Sequence, residues 1–365
     1  MKGGAAIFSP IRCSAIWEPA MSSSDNSDAG AKTGAGPASL RQVARHAGVS
    51  VATVSRVING IPNKASPETV KRVRAAVAAL NYRPAGAAQA LRRRESRIVA
   101  VLAASLINPV MAAITASIGQ ATRERGLVMA LSDTHEQADV QDEFLAEMRA
   151  QSVRGFVLLG AVDSPELERL RQADIAKVFV NRPDPGDVTS CYAGMDNLQA
   201  GRDVARAVLK RGYRRAVLLH GSLDRTAATL RFQGIREEFS AAGLPQDALI
   251  LATAPDTNLL EVGRSGMRQA LAQADTPCLV LCLSDTLAYG AFRALNEAGL
   301  EAPGRFVFFG FDDLIFNAWV APWLNSAFVP AERYGAAVMS QLDPQTAKAA
   351  FFLPHQLSIR HLPNV

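Results

Sequence analysis

The chain has 365 residues, with 39 lysines and arginines against 34 aspartates and glutamates, which gives a formal net charge of +5. No apolar run approaches the roughly 18–20 residues of a membrane-spanning helix, and this excludes an integral membrane protein. The four cysteines form no Cys-x-x-Cys pair and the five histidines are scattered, so the sequence predicts no metal site, no redox site and no cofactor.

The first 38 residues are rich in glycine, alanine and serine, and this composition predicts a disordered extension. Its start does not read as an export signal, because Pro10 and Arg12 interrupt the apolar stretch that follows Lys2. We therefore expect a cytoplasmic protein.

Residues 39–59 predict two short helices separated by a glycine turn. Ser39 and Gln42 have the spacing of a capping box, which marks the start of the first helix. Gly48 interrupts the helical pattern, and Ser50 caps a second helix. The pair predicts a helix-turn-helix, whose second helix enters the major groove of DNA. By spacing alone, an ordinary pair of antiparallel helices remains the alternative.

The distribution of charge favours the DNA-binding interpretation. Residues 36–97 contain 12 lysines and arginines but only two glutamates, whereas residues 98–365 carry a net charge of −5. Neutralisation of DNA phosphates requires this kind of local excess. A third helix is predicted from Ser66-Pro67 to about Asn81. The segment 85–93 is too short to be helical alone, and we expect it to fold on DNA.

Two stretches, VARHAGVSVATVSRVING and LNYRPAGAAQALRRRES, resemble the LacI/GalR family of bacterial transcriptional regulators, and the resemblance extends over about residues 39–360. It implies that the second helix lies in the major groove and that a hinge helix inserts a leucine into the minor groove. By position, it implies base contacts from Val51, Ala52 and Arg56, phosphate contacts from Ser50, Thr53 and Asn59, and a minor-groove wedge at Leu91. Ala85 and Gly86 depart from the family pattern, which leaves the hinge helix without its usual cap.

Beyond residue 97, short apolar runs alternate with helical patterns, which predicts βαβ units around parallel sheets. The expected strands include 98–103, 127–131, 155–159, 177–180, 216–220, 278–283 and 306–311. The resemblance implies a periplasmic-binding-protein-like α/β domain of two doubly wound parallel-sheet lobes with a ligand between them. The expected divisions are an extension at 1–38, an all-α helix-turn-helix domain at 39–84, a hinge at 85–96, a two-lobed effector-binding and dimerisation domain at 97–345, and a C-terminal strand and tail at 346–365.

Open α/β sheets bind ligands at the carboxyl ends of their strands, where several polar residues of this chain occur. The resemblance implies effector contacts from Asn108, Asn181, Arg182, Arg231, Ser284, Asp285 and Asp312. Two of these have structural alternatives, because Asp285 could cap the next helix and Arg182 could form an ion pair between the lobes.

The residues of the expected cleft also bear on the effector. Val110 and Met111 stand where sugar-binding members of the family commonly have aromatic residues, which argues against a neutral hexose. Arg182 and Arg231 suit a carboxylate or phosphate, so we expect a sugar acid or another small organic acid. Trp319 and Trp323 could stack on the effector, but packing at a lobe or dimer interface is the favoured interpretation.

The sequence thus predicts an effector-controlled regulator, most simply a repressor that binds a pseudo-palindromic operator as a homodimer. The C-terminal segment lacks the leucine heptads of a tetramerisation helix. Two alternatives remain: a corepressor-dependent regulator or activator, and a small-molecule-binding protein without a DNA role. An enzyme is not expected, because the chain has no nucleophile elbow, phosphate loop or His-Glu-x-x-His helix.

Overall fold

The computed structural model describes residues 38–58, 65–82, 96–223, 227–256, 258–273, 276–300, 304–347 and 350–365. Most of the expected N-terminal extension and of the hinge, with Asn59 and Leu91, lies outside the described residues. Contacts divide the chain into two units, residues 1–84 and 85–365, and each is considered by itself.

The first unit is a small helical domain. Its helices are α1 (Leu40–Ala47), α2 (Val51–Ile58) and α3 (Pro67–Ala79). One valine from each helix, Val43, Val54 and Val73, is fully buried in their common core. The capping box of Ser39 is formed, and Gly48 has the left-handed conformation, with φ 63°, that ends α1. The predicted helix-turn-helix is therefore confirmed.

The second unit alternates strands and helices. In chain order they are β1 (Ile98–Ala103), α4 (Pro109–Glu124), β2 (Val128–Asp133), α5 (Ala138–Ala150), β3 (Gly155–Leu159), α6 (Pro165–Gln172), β4 (Ala176–Val180), β5 (Tyr192–Met195), α7 (Asn197–Lys210), β6 (Ala216–Leu219), α8 (Ala227–Ala241), β7 (Leu249–Ala252), α9 (Leu259–Leu271), β8 (Leu279–Cys282), α10 (Asp285–Glu297), β9 (Val307–Asp312), α11 (Asn317–Val320), β10 (Leu324–Phe328), α12 (Ala331–Gln341), β11 (Ala350–Leu353) and β12 (Gln356–Ser358).

These strands form two sheets of six, one in each lobe. The first sheet has the order β11-β5-β4-β3-β1-β2, and the second has the order β12-β10-β9-β8-β6-β7. Neighbouring strands run parallel except β12, which is antiparallel to β10. The chain passes between the sheets after β5, after β10 and after β11. The predicted pair of doubly wound lobes is confirmed.

The strands that lie within clear apolar runs were predicted, including the four-residue β6 and β8, whereas β5 and β7 were not among the expected strands. The expected strands 98–103 and 155–159 form with the predicted bounds, because strands buried on both faces are continuously apolar. Four-residue strands such as β5 and β7 are too short to carry a period. The C-terminal segment, expected to form one strand, forms two, and each of them completes a different sheet.

The two tryptophans near α11 have different environments. Trp323 is buried, and its ring stacks on Phe292 with centroids 4.1 Å apart. Trp319 is 85% exposed. Among the residues that the structure describes, no helix is both long enough and apolar enough to cross a membrane.

Candidate functional site

The second helix of the first unit presents the residues expected to contact DNA. Ser50 immediately precedes it, and its hydroxyl accepts a hydrogen bond from the Thr53 amide at 3.1 Å. The two hydroxyls lie 2.9 Å apart. Val51, Ala52 and Arg56 are exposed on the outer face, opposite the buried Val54. The five described residues of the predicted set therefore lie along one helix.

The charge of this unit is not neutralised internally. Arg41, Arg45, Lys71, Arg72 and Arg74 are all exposed. Within residues 38–58 and 65–82, no ion pair joins a basic side chain to an acid. The exposed cations remain available to bind phosphate groups.

In the second unit, each sheet reverses its strand order at one point, between β1 and β3 in one lobe and between β6 and β8 in the other. Ligands of doubly wound sheets bind at the carboxyl ends of the strands beside such a point. Asn108 follows β1, Ser284 follows β8, and Arg231 lies in the helix after β6. Three of the predicted effector residues thus lie beside the two switch points, whereas Asn181, Arg182 and Asp312 lie at the ends of the neighbouring strands β4 and β9.

Arg231 is the centre of the group in the second lobe. It is 6% exposed, and its Nη1 donates to the Leu283 carbonyl at 2.8 Å and approaches Asp312 Oδ1 at 3.4 Å. Its Nε donates to Asn197 Oδ1 at 2.9 Å, and its guanidinium lies 4.7 Å from the centre of the Phe311 ring. These partners hold the side chain in one orientation.

Two buried carboxylates lie beside this arginine. Burial raises the pKa of Asp312 above the ordinary value, although the charge of Arg231 opposes the change. Burial also raises the pKa of Asp285, and the negative charge of Asp312 raises it further. The pair therefore retains a proton to higher pH than free aspartates do.

Asp285 is enclosed by its own protein partners. Its Oδ1 accepts from the Ser326 hydroxyl at 2.7 Å, and its Oδ2 accepts from Asn317 Nδ2 at 2.6 Å and from the Leu314 amide at 3.3 Å. It does not cap α10, because Ser284 is the residue whose side chain accepts from the first turn of that helix. The cap of α10, which the sequence left open as an alternative role for Asp285, is Ser284.

The first lobe supplies a second group. Asn108 caps α4, and its Oδ1 accepts from the Val110 amide at 3.0 Å. Asn181 follows β4 with φ 61°, a conformation that asparagine tolerates well. The next residue, Arg182, donates to Glu136 at 2.8 Å. Because Glu136 belongs to the same lobe, this ion pair does not join the lobes.

The predicted residues divide into two sets, one in each lobe. Arg231, Ser284, Asp285 and Asp312 are adjacent or in contact in one lobe. Asn108, Asn181 and Arg182 follow β1 and β4 of the other lobe, and among the described residues no hydrogen bond joins Asn108 to the other two. No hydrogen bond between described residues joins the two sets. Five partner side chains were not predicted from the sequence: Glu136, Asn197, Phe311, Asn317 and Ser326. Phe311 immediately precedes Asp312, but nothing in the sequence indicated that Asn197, 34 residues before Arg231, would contact it.

Comparison with known proteins agrees with both units. Residues 39–85 match the model of bacterial regulatory proteins of the lacI family, and residues 99–343 match a periplasmic binding protein domain. The chain is 30% identical to the HTH-type transcriptional repressor PurR of Photorhabdus laumondii, over 84% of this chain and 89% of that one. It is 32% identical to the HTH-type transcriptional regulator CelR of Thermobifida fusca, over 81% and 88%.

The fold resembles that of the lac repressor dimer bound to operator and the anti-inducer ONPF, with a TM-score of 0.78, 23% identity and coverage of 90% of this chain and 100% of that one. The helix-turn-helix, the two lobes and the sequence matches agree. The chain belongs to the lacI family of bacterial regulatory proteins and is a DNA-binding transcriptional regulator.

Proposed function

We propose that this chain is a cytoplasmic transcriptional repressor whose affinity for a pseudo-palindromic operator is controlled by a small molecule bound between its lobes. The observation that carries the proposal is one chain in which a basic helical domain with an exposed recognition helix accompanies a two-lobed domain with polar groups at the carboxyl ends of its strands. A ligand that binds one lobe arrangement more tightly by roughly 1–3 kcal/mol would change operator affinity about five- to 150-fold.

Operator recognition is assigned to Val51, Ala52 and Arg56, with Ser50, Thr53 and Asn59 on phosphates and Leu91 in the minor groove. Arginine can donate two hydrogen bonds to guanine, which is worth about 1–3 kcal/mol of discrimination. Genomic DNA selected with the purified protein, followed by footprinting, should give a symmetric site. Arg56→Ala should abolish that footprint, and Leu91→Ala should weaken it.

Arg72→Ala is the matched control, because Arg72 is also an exposed arginine but belongs to α3 rather than to the recognition helix. It should weaken binding to all sequences alike. If Arg56→Ala and Arg72→Ala had equal effects on specific and random DNA, the assignment of base contacts would be wrong. If the native dimer gave no footprint, with or without candidate effectors, the interpretation as a small-molecule-binding protein would be favoured.

The sign of control depends on which lobe arrangement the effector favours. An inducer releases the operator, whereas a corepressor or activating ligand strengthens the complex, and both use the same residues. Footprints made with and without compounds whose metabolism is encoded near the selected site distinguish the two cases. A footprint that weakens with the compound supports the proposed inducible repressor.

For the effector we propose a sugar acid or another small organic acid. Arg182 is partnered by Glu136, whose side chain is half exposed, and such pairs contribute little stability. An effector carboxylate could therefore replace Glu136 on Arg182. Arg231 and Asp312 together offer a donor and an acceptor to hydroxyl groups, and we assign Asn108, Asn181 and Ser284 to the same cleft. Asp285 was expected to contact the effector as well, but it is fully buried and its oxygens accept from protein donors, so we assign it the role of holding the cluster in place.

Calorimetry with matched pairs tests the effector class, for example glucuronate against glucose. The acid should bind and the neutral sugar should bind at least about tenfold more weakly, since a charge-assisted pair is about twice as strong as a neutral one. Arg182→Gln should remove the preference, whereas Arg169→Gln, an exposed arginine of the same lobe, should not. Equal binding of acid and sugar would refute the acid proposal.

The operator symmetry requires two copies of the chain, and one exposed surface suits their association. Ile315, Phe316, Trp319 and Val320, here called the Trp319 surface, are 92%, 38%, 85% and 67% exposed. Clustered large apolar side chains of this kind mark interaction sites. We propose that the Trp319 surface packs against a second copy. Trp319→Asp should convert the dimer to a monomer in sedimentation equilibrium, with the circular dichroism spectrum unchanged.

A further inference from the structure

The buried carboxylate of Asp285 connects α10 to the segment that follows β9. Its acceptor positions are taken by the Ser326 hydroxyl, the Leu314 amide and the Asn317 amide group. Asp285 is fully buried and so is Asn317. A buried carboxyl group that accepts several hydrogen bonds fixes its donors in place, because separating them would leave buried polar atoms unpaired.

Asn317 is the first residue of α11, the short helix that carries part of the Trp319 surface. Its Oδ1 accepts a hydrogen bond from the Tyr289 hydroxyl, while its Nδ2 donates to Asp285. Both partners belong to α10. The buried Asn317 side chain therefore anchors α11, which has only four residues, to α10, beside the contact of the Phe316 ring with that of Tyr289.

The same carboxylate group leads back to the effector cleft. The Asp285 amide donates to the carboxylate of Asp312, which also contacts Arg231. The Ser326 hydroxyl that donates to Asp285 accepts from the amide of Asp313 at 3.0 Å. Asp312 and Asp313 have φ angles of 121° and 48°, so their backbone is strained. The hydrogen bonds that Asp312 makes with Asp285 and Arg231, and Asp313 with Ser326, hold it in this conformation.

We propose that Asp285 and Asn317 are positioning residues that connect the effector cleft to the Trp319 surface, so that a change in the contacts of Asp312 changes the affinity between two copies of the chain. The proposal rests on the proposed function, because it requires the cleft and the dimer described there. The contacts that connect the effector cleft to the Trp319 surface all lie within one lobe. Movement of one lobe against the other is not required for this connection.

The first measurement is the dimer dissociation constant of the full chain by sedimentation equilibrium. Asn317→Ala should weaken the dimer at least about fivefold, the lower range of measured couplings. Asn296→Ala is the matched control, because Asn296 is exposed on α10 far from Asp285, and it should leave the constant unchanged. Tyr289→Phe removes one hydrogen bond to Asn317 without opening a cavity and should weaken the dimer in the same direction by less.

The second measurement is a double-mutant cycle. Asp312→Asn should change the dimer constant in the native chain and have no further effect in Asn317→Ala, because the connection is already broken. The reciprocal exchange Asp285→Asn with Asn317→Asp retains an amide-to-carboxylate hydrogen bond. Because an amide nitrogen in the place of Asp285 Oδ2 cannot accept from the Leu314 amide, the exchange should restore the dimer constant and the response to Asp312→Asn in part.

Additive effects of Asp312→Asn and Asn317→Ala would overturn the proposal, and so would a dimer constant unchanged by Asn317→Ala. Failure of the proposed function gives a different result. If Trp319→Asp left the dimer intact, the Trp319 surface would not be the dimer interface. The connection through Asp285 and Asn317 could then not control dimerisation. If Trp319→Asp gave a monomer while the cycle was additive, the interface would stand and the link alone would be refuted.

Discussion

At the scale of single residues, the effector cluster holds two carboxylates close to one guanidinium. Asp285 and Asp312 are buried, and their pKa values are raised by burial and, for Asp285, by the charge of Asp312. The cluster therefore costs folding energy when both acids are ionised. The cost is tolerable because Arg231, Ser326 and Asn317 supply hydrogen bonds to the carboxylate oxygens.

This arrangement predicts a pH dependence of stability. A carboxyl group with a raised pKa binds more protons in the folded than in the unfolded state, so its contribution to stability falls as pH rises above the ordinary value of 3.8. The side chain at position 285 of the Asp285→Asn variant cannot ionise. Relative to this variant, the native chain should lose unfolding free energy between about pH 4 and about pH 8, the raised pKa of Asp285, as measured by urea denaturation at constant ionic strength. Parallel profiles for the two proteins would contradict the raised pKa.

At the scale of secondary structure, glycines set how closely helices approach. A Cβ at Gly201 of α7 would overlap the Arg231 carbonyl of α8, and a Cβ at Gly234 would overlap the Leu198 carbonyl. The pair Gly263 and Gly290 does the same between α9 and α10. The close approach of α7 and α8 places the backbone of Arg231 against α7. The first residue of α7 is Asn197, which accepts a hydrogen bond from the Arg231 side chain.

Gly201→Ala should therefore act on the effector cluster as well as on stability. The added methyl group must push α8 away, which costs about 1–3 kcal/mol of unfolding free energy, and effector affinity should fall with it. Gly119→Ala in α4 is the control, because its nearest neighbour is the flexible end of Met129 at 3.2 Å. Chemical denaturation of both variants tests the difference, and equal stabilities would show that the crossing can relax.

The start of α1 offers a second test at this scale. Ser39 accepts from the Gln42 amide at 3.3 Å, and Gln42 accepts in return from the Ser39 amide at 2.6 Å. Ser39→Ala should cost about 1 kcal/mol of local stability, visible as faster amide hydrogen exchange in α1. Ser39→Asp keeps a capping oxygen and should exchange as the native chain does. Faster exchange in both variants would argue that the cap is not the cause.

At the scale of the whole molecule, charge is divided between the units. The basic segment 36–97 contrasts with a net charge of −5 over residues 98–365, which disfavours contact of the larger unit with DNA. Binding to the operator should therefore depend on phosphate contacts from the first unit and its hinge. This division of charge makes affinity sensitive to salt.

Fluorescence anisotropy with the selected operator tests this dependence. A dimer that makes roughly six to ten phosphate contacts should lose about 10³- to 10⁵-fold in affinity between about 50 and 200 mM salt. Arg72→Ala should make the slope shallower by about one unit for each phosphate contact removed. A nearly flat salt dependence would place recognition outside the basic segment.

The sequence by itself determined the helix-turn-helix, the parallel lobes and the positions of the polar residues after the strands, because caps, glycine turns and long apolar runs act locally. Only the tertiary structure decided which polar residues meet. The partnership of Arg231 with Asn197, of Arg182 with Glu136 and of Asp285 with Asn317 depends on strand order and helix crossings. These contacts join residues 32 to 46 positions apart, a separation at which no periodicity of one element carries information.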